Sequence, residues 1–374
     1  MESWIKSWRT ESRAISFLLI LAGSRTAEVE GISAAGATAE SRRYTALADA
    51  ELLLKGPTSA RKWQLPQLSA GVSPALISFV ALRSVGLDPM VLAVGLQESP
   101  NFPHLRCEQP FLGPAQCLST GKALAFSRVH SLWQRGLSMG RRLRRPLLLA
   151  ECVPGGTTTA QAVLTGLGIS VAELISGSGR RPPMNLKKEL VERGLVAASL
   201  GQKRTPKQLI AAVGDPFQPV AVGILLGVRE AGFPVLLGGG SQMLAVLALA
   251  LAELKPNLRK EFLSGVSIGT TAWLLDEASI KGSSESSLVA LIGRIEDHFG
   301  VSLLGFSSGL RFHLSGYQLL RDFELGYVKE GVGAGALSLL AELYGASSKE
   351  LVEACDQAME DLLKKTGDET SHEI

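Results

Sequence analysis

Six largely apolar runs punctuate the chain, over residues 15–22, 90–94, 146–150, 234–237, 265–268 and 301–305, and small or polar residues close each of them. None alternates polar and apolar positions as a half-solvated strand does. Each therefore reads as a strand buried on both faces of a parallel sheet. Between them apolar positions recur at helical spacing over residues 74–85, 121–137, 159–167 and 218–231, and the Leu-rich stretch 243–254 predicts a core-facing helix. Near the end, Gly333-Ala334-Gly335-Ala336 opens a helix over 337–344. A second helix starts at Ser347 or Ser348 as N-cap and runs to about Lys365, ahead of a polar tail.

This alternation predicts an α/β fold: a doubly wound, mainly parallel sheet with flanking helices and a small helical cap. No Pro- or Ser-rich linker and no internal repeat divides the 374 residues. One α/β domain over residues 1–374 is predicted, with its core at about 15–328 and a C-terminal helical segment at about 329–366. Ligands of such sheets sit beyond the carboxyl ends of the strands, at helix N-termini. The residues that follow each apolar run are thus the first candidates for chemistry.

Composition narrows the function classes. With 46% hydrophobic and 20% charged residues, and 40 glycines without a collagen-like period, the chain can fill a core. A net charge of +3 gives no electrostatic footprint for nucleic acid and leaves anionic small ligands open. Five arginines between Arg135 and Arg145 read as a solvated helix end, with only Trp133 nearby as an aromatic platform. Cys107, Cys117, Cys152 and Cys355 form no close pair, and the five histidines are scattered. Neither a disulfide framework nor a metal site is expected, which suits a reducing, cytoplasmic setting. The run 15–22 falls short of the about 20 residues needed to span a membrane and has no convincing cleavage region after it.

Three glycine-rich stretches follow strands or open helices. In Glu151-Cys152-Val153-Pro154-Gly155-Gly156-Thr157-Thr158-Thr159-Ala160, glycines let a ligand approach the backbone, and hydroxyls and helix-start N–H groups can receive a phosphate. A tight strand-to-helix turn with threonine caps accounts for it equally well. Without a Gly-Lys-Ser/Thr ending it is not a nucleotide-hydrolysing loop. Gly238-Gly239-Gly240-Ser241-Gln242 is a close-approach loop or a sharp turn, without the dinucleotide-binding spacing. In Glu330-Gly331-Val332-Gly333-Ala334-Gly335-Ala336, a desolvated Glu330 would have its pKa raised toward a value useful for proton transfer, whereas a plain acid at a helix start would serve the helix dipole. Two further polar clusters lie at strand ends: Thr270-Thr271 with Asp276, and Ser307-Ser308 followed by Arg311, His313, Ser315 and Gly316. Arg311 or His313 could meet an anion.

The stretches 151–160 and 329–334 resemble those of the nicotinate-nucleotide:dimethylbenzimidazole phosphoribosyltransferases, and the resemblance extends over about residues 15–340. It is closer to an uncharacterised cyanobacterial and archaeal branch of that superfamily. The residues that carry this are Ala34-Ala35-Gly36-Ala37-Thr38, Ala48-Asp49-Ala50-Glu51, Gly71-Val72-Ser73-Pro74, Val213-Gly214-Asp215-Pro216 and Phe323-Glu324-Leu325-Gly326-Tyr327-Val328-Lys329-Glu330-Gly331. The resemblance implies phosphoribosyl transfer from nicotinate mononucleotide to a benzimidazole-like or other nitrogen heterocycle, as in activation of the cobalamin lower ligand. It implies a homodimer and requires neither metal nor cofactor, nucleic acid nor membrane.

Residue by residue, the resemblance makes Glu330 the general base that removes the proton from the attacking ring nitrogen, with Gly331 and Gly333 beside it. It sets Glu151 near the ribose and Gly155, Gly156, Thr157 and Thr158 near the 5′-phosphate. Gly239 and Gly240 join the ligand loops, Ser73 lies on the aromatic-base side, and Ser315 is a further ligand-binding candidate. The sequence departs from the family pattern at Gly156, where the family has Asn, at Val153-Pro154, and at Val332, which lacks the family's hydroxyl. The alternative function is a non-catalytic nucleotide-binding or regulatory protein that retains the fold. A scaffold with an occluded cleft is a third.

Overall fold

In a computed structural model the chain is described over residues 2–9, 14–109, 112–171, 173–175, 177, 179–201, 204–277 and 286–371. Seven strands form one sheet: β1 (Ser16–Ala22), β2 (Pro89–Val94), β3 (Leu105–Arg106), β4 (Leu147–Cys152), β5 (Val235–Gly238), β6 (Val266–Thr270) and β7 (Gly305–Ser307). Their order is β3-β2-β1-β4-β5-β6-β7, and every pairing is parallel. The chain winds outward from β1 to one edge, then returns to lay β4 on the other side of β1. The switch point of the sheet therefore lies between β1 and β4, where the crevice for a ligand opens in folds of this kind.

Strand alternation sorts the core into two layers. Leu18, Ile20 and Ala22 of β1 and Leu147 and Leu149 of β4 face one layer, with the helices Gly156–Gly166 and Phe217–Glu230. Phe17, Leu19 and Leu21, with Leu148, Ala150 and Cys152, face the other, with the helices Ala39–Lys55, Ala75–Val85 and Ala334–Leu343. Burial on both faces is why these strands are continuous apolar runs. The same alternation turns Glu151 toward the first layer and Cys152 toward the second.

The expected doubly wound α/β architecture is present, with local differences. The strand predicted over 301–305 forms later, at Gly305–Ser307. The helix expected from Gly121 starts at Phe126, because Gly121 adopts a left-handed φ of +66° that ends a short 3₁₀ turn. The helix Ala334–Leu343 lies on the sheet itself, with Ala336 Cβ against Gly238 and Gly269, and the terminal helix Ser348–Ser371 buries Leu351, Cys355 and Met359 outside that layer. Among the described residues no helix is long and apolar enough to cross a membrane.

Candidate active site

The site is built where β4 ends. Glu151 is 6% exposed, and its Oε2 accepts the Val153 N–H at 2.9 Å. Burial pushes its carboxyl up to about 8, the Val153 N–H opposes that, and the negative charges of Asp215 and Glu330 add to it. At neutral pH Glu151 is largely protonated, so it can both donate and accept. The chain then turns through Gly155 (φ +75°) into the helix Gly156–Gly166, whose N-terminal residues Gly156 and Thr157 line the same space, so the positive end of its dipole lies there.

Glu330 reaches this space from the far end of the sequence. Its Oε2 accepts the Thr271 N–H at 2.8 Å and the Thr270 hydroxyl at 3.2 Å; its Oε1 accepts the N–H groups of Gly331 at 3.0 Å and Gly335 at 3.2 Å. Burial raises its carboxyl to about 7 against the pull of these donors. The loop that presents it is strained: Val328 (+62°), Lys329 (+67°) and Val332 (+55°) are non-glycine residues in the left-handed region. Local bonds hold this shape. The Val332 N–H donates to the Glu151 carbonyl at 3.1 Å, the Thr271 hydroxyl to the Lys329 carbonyl, and the Ser78 hydroxyl to the Val332 carbonyl at 3.1 Å. Lys329 itself is buried, with its Nζ 2.8 Å from Glu277 Oε1.

These pieces enclose a cleft of about 1170 Å³, counting the solvent at its mouth. Of the residues singled out in the sequence, Ser73, Glu151, Gly155, Gly156, Thr157, Glu330 and Gly331 line it. Gly240 lines an adjoining recess of about 570 Å³ that shares Glu151, Thr157 and Glu330 with the cleft. Four others stand outside both. Thr158 is buried in its helix, Gly239 follows β5, and Gly333 caps the helix Ala334–Leu343. Ser315 instead donates to Asp356 Oδ1 on the terminal helix at 2.5 Å. Arg311 pairs with Asp276 and Glu324, and neither it nor His313 lines the cleft.

Sequence reasoning missed several lining residues. Lys187, 1% exposed on the helix Met184–Ala198, extends its Nζ to 2.9 Å from Thr157 Oγ1 and brings a buried cation to the helix N-terminus. Asp49, named in the sequence only as part of a stretch carrying the resemblance and given no site role, and Ser33 come from the segment between β1 and Ala75, and Arg181 from the approach to the Lys187 helix. The end of the Gln242 side chain packs where a side chain at Gly156 would lie, so Gly156 is bare because Gln242 occupies that space. Among the described residues no group of three or more His, Cys, Asp or Glu is placed to hold a metal ion. The cleft thus offers a carboxyl group with a pKa near neutrality and, on another wall, a helix start with a buried lysine beside it.

Comparison with known proteins places the chain among relatives. A family model described as phosphoribosyltransferase matches residues 73–271. A UPF0284 protein of Prochlorococcus marinus (strain MIT 9313) is 64% identical over 97% of this chain and 90% of its own length. One of Parasynechococcus marenigrum (strain WH8102) is 56% identical over 97% and 91%, and one of Crocosphaera subtropica 37% over 91% and 90%. Among solved structures, a nicotinate-nucleotide-dimethylbenzimidazole phosphoribosyltransferase from Thermus thermophilus superposes with a TM-score of 0.57 at 21% identity, covering 90% of this chain and 84% of that one. This last likeness is one of fold.

Proposed function

The chain belongs to the UPF0284 family and has a fold like that of the Thermus thermophilus enzyme, and we propose that it transfers the phosphoribosyl group of nicotinate mononucleotide to a ring nitrogen of a benzimidazole-like or other nitrogen heterocycle. The observation that carries this reading is Glu330: a carboxylate raised to about 7, fixed by four donors, on a cleft whose other flank is a helix start with a buried lysine.

In this reading the 5′-phosphate sits at Gly155–Thr157, where helix N–H groups and the Lys187 ammonium offset its charge. Glu151, largely protonated, donates to and accepts from the ribose hydroxyls. The acceptor's ring nitrogen attacks the anomeric carbon while the bond to the pyridinium nitrogen of nicotinate breaks, so the leaving group departs with the electron pair that neutralises it. The proton lost by the acceptor ring passes to Glu330. Most of the acceleration then comes from holding the two rings in line and from the placed base. A homodimer belongs to the same reading and is decided by sedimentation equilibrium.

The test is a product assay by mass spectrometry with nicotinate mononucleotide and a panel of dimethylbenzimidazole, benzimidazole and adenine. A phosphoribosylated heterocycle that disappears in Glu330→Gln is expected. Tight binding of the nucleotide with no product from any acceptor would overturn the reaction and favour the non-catalytic, nucleotide-binding alternative.

A further inference from the structure

The flank of the cleft opposite Lys187 has a different chemistry. It belongs to the second core layer, and Pro66, Leu68, Val328 and Val332 make it mainly apolar. Asp49 stands in it, 4% exposed, on the buried face of the helix Ala39–Lys55. Its two oxygens are unequally served. Oδ1 accepts the Ser73 hydroxyl at 2.6 Å, and the Ser73 oxygen in turn accepts the Ala75 N–H at 3.1 Å, so that hydroxyl is fixed. Oδ2 has only the Cys152 thiol, at 3.4 Å, and a thiol is a weak donor. Among the described residues no lysine or arginine forms an ion pair with Asp49. Burial raises its carboxyl to about 6, so near neutral pH it carries a charge that one good hydrogen bond and one weak one support.

A carboxylate so placed on an apolar wall is costly unless something completes its shell. We propose that Asp49 reads the acceptor: the heterocycle that fits this flank carries a second donor, an amino or hydroxyl substituent, besides the ring N–H that Glu330 takes, and that donor meets Asp49 Oδ2. The inference rests on the transferase reading and narrows its acceptor to amino- or hydroxy-substituted fused azoles. Asp49 is a specificity-determining residue here and plays no part in the bond changes. A purely structural Asp49, bracing the 71–74 turn through Ser73, would leave the choice between substituents untouched.

Calorimetric binding of two near-isosteric rings, 5-aminobenzimidazole and 5-methylbenzimidazole, to the nucleotide-free full chain, where no transfer can occur, separates these cases. The wild-type protein is expected to prefer the amino ring by about tenfold or more, the range of a hydrogen bond to a charged group. Asp49→Asn, which still accepts from Ser73 but presents an NH₂ group, is expected to abolish or reverse that preference. Cys152→Ser leaves Asp49 in place and gives Oδ2 a stronger internal donor, so it is expected to shrink the preference even if the Asn variant folds poorly. Equal binding of the two rings by the wild-type protein, or a preference that neither variant moves, overturns the assignment of Asp49 and leaves the transferase reading standing. Binding of neither ring overturns the assignment of Asp49, and the product assay with adenine then decides the transferase reading separately.

Discussion

In the proposed reaction Glu330 handles the proton and Lys187 the anion, and those two roles would separate kinetically. A base with its pKa near 7 must be ionised to act, so kcat/KM is expected to rise about tenfold per pH unit below about pH 7 and to turn down again above about pH 8, where Glu151 loses the proton it offers the ribose. Glu330→Gln is expected to lower transfer by about 10²–10⁴-fold and to flatten that acid limb, while nucleotide affinity holds. Lys187→Met removes the cation that meets Thr157, so KM for the nucleotide is expected to rise about tenfold or more with kcat little changed. Initial rates across pH 5.5–8.5 check both. An acid limb that persists in the Gln variant would remove Glu330 from the base role.

At the scale of elements, the site depends on how closely two helix starts approach the sheet. The helix Ala334–Leu343 brings Gly335 against the backbone of Thr270 and Thr271, the same two residues that hold Glu330. A methyl group there collides with main chain, which cannot move aside. Gly335→Ala is expected to destabilise the fold by about 1–3 kcal/mol or more and to disrupt the Glu330 hydrogen bonds. At Gly156 the colliding group is the end of the Gln242 side chain, which can swing away. Gly156→Ala is expected to cost less than about 1.5 kcal/mol while displacing the end of the Gln242 side chain. Urea unfolding of the pair orders them; equal costs would mean that backbone contact is not the distinction. The same elements show what a sequence discloses. The central strands were legible because burial on both faces leaves them almost wholly apolar, with Glu151 the charged exception at the end of β4. The helix Ala39–Lys55 was not, because its inward face carries Arg42, Thr45, Asp49 and Glu51, which hide the helical period. Lys187 left only a faint mark, a lysine three positions before Leu190 on a buried helical face. Glu330 was legible through its glycine-rich neighbours, whereas Gln242 became visible only once the space beside Gly156 was known.

The whole molecule concentrates buried acids around one end of its sheet, and that gives its stability a distinctive pH dependence. Burial raises Asp49 and Asp215 to about 6, Glu330 to about 7 and Glu151 to about 8, against ordinary values of 3.8 and 4.5. Asp215 shows how this is held: it accepts the N–H groups of Phe217 at 3.0 Å and Gln218 at 3.2 Å and the Thr159 hydroxyl, yet has no cation beside it among the described residues. Between about pH 4.5 and each raised value, the folded chain keeps a proton that the unfolded chain has released. Stability contributed by these groups is therefore full below about pH 4, falls as pH rises, and is lost once pH passes the folded-state values. Each such proton contributes a slope of about 1.4 kcal/mol per pH unit while the difference lasts. The urea midpoint of the ligand-free protein is thus expected to be lower at pH 8.5 than at pH 5.5, the reverse of the behaviour of a protein stabilised by salt-bridged carboxylates. Glu151→Gln, neutral at every pH, is expected to flatten the upper part of that decline, between about pH 6 and 8. A midpoint that climbs over the same range would mean that the cleft carboxyls are ionised and paired in the folded protein, and would remove the protonated Glu151 from the ribose site as well.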